Sequence, residues 1–467
     1  MRRIAIIGSG IAGLLTAHGL RRAGHQVTLF SDRSAEQWLR GSKPTGTAGR
    51  FDLALSYERE LGLAHWESAA KKVEGISLVF CPVPGNRLLT LTARLARPGV
   101  AIDVRLQSHR WMLDLEERGG TVAIESVTVP RLDEIAAAHD LTIVAAGKAE
   151  LANLFERDGA RSVYDRPQRN LAMVVTRGAR HRFDGVPFVP VKFNLFGTVG
   201  EMFWVPYHHY ELGPSWNLVF EAKPGGAMDL FGDAKSGADA LAIAKRVIRD
   251  LAPWDHEWAK EMELADEHGW LVGKVAPTIR KPVGRLPSGR VVASVGDTAM
   301  VFDPVGGQGA NNGTKMARHL VEAIVARGDR PFDEAWMSST FEAFYADHGA
   351  PAYTFNNLLL EPITAAGKEL LIAQYGSDGV RRDGRQAIAD AFAANFADPR
   401  QYTHLFTDLA ATRAFIAEKT GGSWRRRAIG GRLAIGAQQL RQKLGLAPHH
   451  PLAPDAAMPA EAAVPAE

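Results

Sequence analysis

Residues 3–13 constrain this chain more than any other stretch. Arg3-Ile4-Ala5-Ile6-Ile7 is a short β-branched run, suited to a strand buried on both faces, and it leads directly into Gly8-Ser9-Gly10-Ile11-Ala12-Gly13. That spacing fits GxGxxG, which is weak evidence alone. Here a helix is predicted from about Ile11 to Ala23, closed by Gly24, and Gln26-Val27-Thr28-Leu29-Phe30 reads as a second strand. Strand, glycine turn, helix and strand make the βαβ context in which this motif seats a dinucleotide. Gly8 permits the tight turn, Gly10 lets a pyrophosphate approach the backbone, and Gly13 lets helix and strand pack closely. The helix N-terminus offers free N–H groups and positive potential to phosphate. Ile11 and Ala12 belong to the same cradle. An acidic residue commonly ends the second strand and holds a ribose. Ser31 stands there, followed by Asp32 and Arg33, and either Ser31 or Asp32 can accept that hydrogen bond.

A second signal lies almost three hundred residues on. Val291-Val292-Ala293-Ser294-Val295 reads as a buried strand followed by Gly296-Asp297, and then by Asp303-Pro304-Val305-Gly306-Gly307-Gln308-Gly309-Ala310-Asn311. A carboxylate at 297 can accept from a ribityl hydroxyl. Pro304 stiffens the loop, its glycines let backbone pass close to a flat ring, and a helix starting near Gly309 points its positive end at that ring. A nicotinamide-only domain has no use for this distant segment, so the pair of signals favours FAD. The fold class that follows is α/β: a glutathione-reductase-like FAD-binding Rossmann fold, with an inserted antiparallel-sheet substrate domain and a helical C-terminal region. The cofactor candidates are completed by Arg105, Gly147, Gly307, Gly309, Ala310 and Asn311.

The 467 residues suggest several structural units, and the organisation expected is as follows. Residues 1–80 and 81–165 bind FAD, the latter with strand insertions. Residues 166–285 form the substrate-binding sheet, 286–330 return to the FAD domain, 331–445 are helical, and 446–467, rich in Pro, Ala and Glu, form a disordered tail. A net charge of +3 does not point to nucleic acid. The lone Cys81 allows no intrachain disulfide, and no run of about eighteen apolar residues occurs, so a cytoplasmic protein is expected. No HExxH or CxxC pattern suggests a metal, and His208-His209 would point to opposite faces of a strand.

Beyond the flavin motifs, the chain resembles the oxygenase component of styrene and indole monooxygenases. The resemblance rests on VTLFSDR at 27–33, EERGG at 116–120, TIVAAGK at 142–148, PQRNLAMVV at 167–175, LVGKVAPTIR at 271–280, GDTAMVFDPVGGQGAN at 296–311 and ANFADPRQY at 394–402, in order along residues 1 to about 420. It implies a two-component enzyme that accepts reduced FAD from a separate NADH-dependent flavin reductase, met transiently. With O2 a flavin C4a-hydroperoxide would then deliver one oxygen atom to an alkene or indole-type double bond. Single-component hydroxylases carry Asp-Gly where this chain has Ala146-Gly147, and no second dinucleotide fingerprint occurs. Where the family commonly has a glutamine, this chain has Ser108, and its loop at 40–50 is longer.

Oxygen transfer asks the protein mainly to hold the double bond in place and keep water out. Thr47, Arg50, Phe51, Pro304, Gly307 and Gln308 are the candidates beside the reacting centre. Phe193, Phe203, Trp204, Tyr207, Trp216 and Phe220 are candidates for the pocket wall, although strand alternation lets only about half of them face it. Trp424-Arg425-Arg426-Arg427, with Ile429, Leu433, Ile435, Leu440 and Leu444, reads as a basic amphipathic helix. Residues 424–445 then have three readings: a solvated helix, a weak membrane-surface contact or a reductase dock. A homodimer is also left open. Two competing functions are a flavin-dependent halogenase, whose GWxWxIP motif is missing after Gly269-Trp270, and a non-catalytic hydrophobic-ligand carrier of the same fold.

Overall fold

The computed structural model describes residues 1–147, 149–179 and 186–446. Most of the tail expected at 446–467, from 447 onward, and Lys148 of the 142–148 segment lie outside them. The first strand, Arg3–Ile7, sits inside a six-stranded sheet ordered Val283–Arg285, Val291–Ser294, Leu141–Val144, Arg3–Ile7, Gln26–Ser31, Thr121–Ile124. All neighbours are parallel except the first pair. Alternation along the strand explains its composition. Ile4 and Ile6 pack with Leu14, Trp111 and Leu320 on one face, while Ala5 and Ile7 pack with Leu132 and Ile135 on the other. Helices Ile11–Arg22 and Gln308–Arg327 share the first of these cores. Each therefore presents its N-terminus near the carboxyl ends of the strands, where open α/β sheets bind ligands.

A nine-stranded sheet makes the second layer. Strands Asn170–Arg177, Gly213–Ala222, Gly200–His209 and Pro190–Phe196 are antiparallel neighbours. Pro190–Phe196 then pairs parallel with Val73–Cys81, which brings in Leu89–Ala101 and Gly49–Arg50. The sheet is thus mixed, because strands from before residue 105 join it rather than the Rossmann sheet. One face packs Trp204, Trp216 and Phe220 against helix Gly237–Leu251. The other packs Phe193, Phe203 and Tyr207 against Phe355 and Phe396 of the C-terminal helices Ala350–Leu360 and Gly384–Ala397. Helix Trp424–Lys443 buries Ala428 and Gly431 but leaves Ile429, Leu433 and Leu440 exposed. Among the described residues no helix is long and apolar enough to cross a membrane.

The core under the first helix carries a pH-sensitive contact. Buried His18 has Nε2 2.8 Å from the Trp111 carbonyl and Nδ1 3.3 Å from the Arg118 guanidinium. The neutral Nε2–H form satisfies both, whereas a second proton would face a cation. Burial, opposed by the Trp111 hydrogen bond and reinforced by Arg118, holds the imidazole down to about 4. In the unfolded chain it titrates near 6.5. Folding stability is therefore full above that value and falls as pH drops from 6.5 towards 4, by about 3 kcal/mol in all. Urea unfolding at a series of pH values should show this slope in the wild type and a flatter one in His18→Gln.

Candidate functional site

The two layers enclose a cavity of about 700 Å³ that runs from Gly8, Gly10 and Asp32 to Phe203 and Phe396. One end begins at the glycine turn. Gly8 has φ +118°, and a Cβ there would lie 2.7 Å from the Ala145 carbonyl oxygen. A Cβ on Gly13 would come within 2.0 Å of the Gly8 oxygen, so both are glycine for reasons internal to the fold. Gly10 differs: a Cβ there would meet nothing within 4 Å and would project into open space. It is the N-cap of helix Ile11–Arg22 and has no side-chain cap, which leaves that helix's first N–H groups for a ligand. Helix Gln308–Arg327 also starts without a side-chain cap, on Gly307 at φ +59°. Two uncapped helix ends, one cradle of open backbone and an acid at each flank fit a dinucleotide with a second ring system.

Of the two residues expected to hold the ribose, Asp32 lines the cavity and Ser31 does not. Ser31 Oγ is committed to Ser9 Oγ and the Arg33 carbonyl, each at 2.6 Å, which corrects its candidacy for the ribose. Arg33 lies over the Trp38 ring at 4.8 Å. At the other flank Asp297 is exposed to the cavity, with the Arg280 cation near it. Ser108 donates to the Ser9 carbonyl at 3.0 Å and braces the glycine turn from behind.

The loop Asp303–Gly307 is held on several sides. Asp303 accepts from Val305 N at 3.2 Å, Asn356 accepts from Gly306 N at 3.1 Å, and Gln308 Nε2 donates to the Gly306 and Phe396 carbonyls at 2.9 and 3.1 Å. Asn311 donates to the Gly49 and Gly307 carbonyls at 2.9 and 2.7 Å and accepts from Phe51 N at 2.9 Å. It thereby ties the loop containing Thr47 to the loop containing Pro304. Asn311→Ala should loosen both, costing about 1–3 kcal/mol of FAD binding, roughly a five- to hundredfold rise in Kd by fluorescence titration.

Of the residues picked for chemistry, Thr47, Phe51, Pro304 and Gly307 line the cavity, together with Ile11, Ala12, Gly147, Gly296, Gly309 and Ala310 of the cofactor set. Gly13, Gln308 and Asn311 stand behind it as braces. Two arginines are corrections. Arg50 is buried on Glu58 and the Ala48 carbonyl. Arg105 is locked by Asp103 at 2.8 Å and Asp266 at 2.9 Å. Neither reaches the cavity, because each guanidinium already has carboxylate partners inside the protein.

At the far end Phe193 and Phe203 stack at 4.4 Å and form part of the wall. Tyr207 lies on the same face but deeper in the core, outside the wall. Trp204, Trp216 and Phe220 are on the opposite face, which corrects their assignment to the pocket. Register decides this, since Phe203 pairs with Val219 and Phe193 and so places odd-numbered residues of Gly200–His209 inward. Phe396 and Glu221 also line the cavity. Phe396 lies inside the ANFADPRQY segment, but only the folding of helix Gly384–Ala397 over the sheet brings it here. The alternation that selects Val219 also turns Glu221 inward.

Comparison with known proteins adds to this geometry. Residues 147–258 match the family model described as the styrene monooxygenase A putative substrate binding domain, and residues 6–35 match an NAD(P)-binding Rossmann-like domain. Styrene monooxygenase StyA of Pseudomonas fluorescens is 27% identical over 412 residues, covering 87% of this chain and 95% of that protein. Among solved structures, the flavin-dependent brominase Bmp2 is 15% identical with a TM-score of 0.56, covering 94% of this chain and 99% of that one. The flavin-dependent halogenase CmlS is 16% identical with a TM-score of 0.58, covering 94% of this chain and 78% of that one. At these identities the last two report the fold alone.

Proposed function

This chain is a styrene monooxygenase-like, flavin-dependent monooxygenase with FAD as its cofactor, and from that premise we propose that it epoxidises a styrene-, indole- or other alkene-type double bond. Reduced FAD would come from a separate, transiently bound NADH-dependent flavin reductase in the cytoplasm. In this reading residues 1–165 and 286–330 hold the cofactor and residues 166–285 form the substrate side. When bound and reduced, the flavin together with O2 supplies one electrophilic oxygen atom.

The protein's part is positional. The observation that carries the reading is the continuity of one cavity, from the uncapped helix ends to an apolar chamber walled by Ile76, Val191, Phe193, Phe203, Val219 and Phe396. Gly10 and the first turn of helix Ile11–Arg22 seat the pyrophosphate, and Asp297 holds the ribityl chain. Thr47, fixed by Asn217 at 3.1 Å, and Pro304 border the flavin end of the chamber. The aromatic wall keeps water from the reacting pair and sets how close the double bond comes. The absence of a second dinucleotide fingerprint in the sequence supports an external source of electrons.

The test supplies chemically reduced FAD, O2 and a panel of styrenes, indoles and larger alkenes, with product mass as the readout. Mono-oxygenated product is expected. Hydrogen peroxide alone with every member would sink the oxygenase reading. Product that appears only with added bromide or chloride would replace it by halogenation, and a chain that ignores FAD in titration would replace it by a carrier role.

A further inference from the structure

Helix Trp424–Lys443 touches the body of the protein with one side only. Ala428, Gly431 and Gln442 are buried there, and Arg427 turns inward to donate to the Tyr375 carbonyl at 2.8 Å. Trp424 also packs on the body, half-buried, with the Arg413 guanidinium over its ring at 4.2 Å. The opposite side carries Ile429, Leu433, Leu440 and Leu444, each more than half exposed. At 3.6 residues per turn these four fall within about 60° of one another, in one stripe roughly 22 Å long. Leu446, equally exposed, follows at its end. Five of the twelve large apolar side chains exposed among the described residues therefore lie on eighteen consecutive positions, 429–446. Scattered exposed aliphatics need no explanation, but a continuous stripe marks a contact surface. Cations frame it. By helical spacing Arg425, Arg432 and Lys443 run along one margin and Arg426 and Arg441 along the other, all exposed, and residues 424–446 contain no Asp or Glu.

We propose that this face is an interfacial helix that lays the protein on an anionic lipid surface. The aliphatic stripe enters the acyl boundary, and the Arg and Lys stems extend their charges sideways to the lipid phosphates. The helix lies on such a surface rather than crossing it, because it is not apolar enough to span a bilayer. Two features select lipid over a protein partner. Protein interfaces draw on aromatic anchors, and the helix's only aromatic residue, Trp424, is spent on the protein's own body. The exposed half offers only aliphatic area, small residues, a glutamine and positive charge, and a fluid anionic surface asks for nothing more specific. The inference is independent of the reaction proposed above.

Flotation of the FAD-loaded full chain with lipid vesicles tests it. Binding to phosphatidylcholine vesicles containing about a third phosphatidylglycerol is expected to be at least roughly tenfold tighter than to phosphatidylcholine alone, and to weaken as salt rises from about 0.05 to about 0.5 M. Leu433→Gln/Leu440→Gln leaves the charge unchanged and should cost at least roughly tenfold on the anionic vesicles. Its FAD affinity and urea midpoint should match the wild type, since both side chains stand in solvent. No binding to anionic vesicles, or equal binding by the double variant, overturns the proposal. A wild type that ignores the vesicles but sediments as a dimer, and becomes monomeric in the double variant, gives the stripe to a second copy. One that ignores the vesicles, while the double variant loses only reductase-driven turnover, gives it to the reductase.

Discussion

In Gly10→Val, FAD binding is expected to fall by roughly a hundredfold or more, with urea unfolding of the apoprotein close to that of the wild type. The two halves of this result have separate causes. Gly10 has φ −77° and ψ 178°, an extended conformation that valine adopts readily. A Cβ there meets nothing within 4 Å, so the fold loses little. The isopropyl group instead fills the space through which a pyrophosphate must reach the free N–H groups of helix Ile11–Arg22. Losing two such charge-assisted hydrogen bonds costs about 3 kcal/mol or more, which is the hundredfold. Gly13→Ala makes the contrast. Its Cβ would sit 2.0 Å from the Gly8 oxygen, so it should lower stability itself rather than affinity alone. Unchanged FAD affinity in a folded Gly10→Val protein would mean that the cofactor lies elsewhere.

Arg105→Ala carries the second large effect, and it falls on stability. Arg105 joins buried Asp103 to Asp266 and lies over the Tyr210 ring at 4.5 Å. His209 Nε2 completes the group at 2.6 Å from Asp266. Removing the guanidinium leaves carboxylates facing each other inside the protein, which costs about 3–5 kcal/mol. Burial alone would raise the Asp266 carboxyl, but hydrogen bonds from His209 and Arg105 outweigh it and hold the group well below the usual carboxylate range. A depressed carboxylate contributes stability above its unfolded pKa, near 4, and loses it as pH falls further. The wild type should therefore weaken in acid below about pH 4, a dependence that Arg105→Ala should reduce but keep in part, since His209 still bonds Asp266. FAD affinity of the folded variant should change by less than about threefold, since Arg105 does not border the cavity. A large loss of FAD affinity without loss of stability would return Arg105 to the cofactor set.

Both predictions turn on the difference between a residue's type and its neighbours. Gly8, Gly10, Gly13, Gly296, Asp297 and the 303–311 loop were legible because their chemistry is local: backbone freedom, a helix start and a turn are encoded within a few residues. Arg50, Arg105, Gln308 and Ser31 are polar residues beside the right motifs, and nothing local says where a polar side chain finds its partner. Each found one inside the protein. Among the aromatics, alternation implied that about half could face the pocket, but which half depends on strand register and on what covers each face.

The sequence by itself determined the βαβ start, the glycine-rich turn at 303–311 and FAD as the cofactor, since short-range sterics and helix-end electrostatics act within single turns. Tertiary structure alone decided that Phe193 and Phe203 face the chamber while Trp204, Trp216 and Phe220 do not. It also brought Phe396 across two hundred residues to close the wall. Those outcomes come from register and from packing between distant segments, where the free energy depends on pairs of residues that no local pattern links.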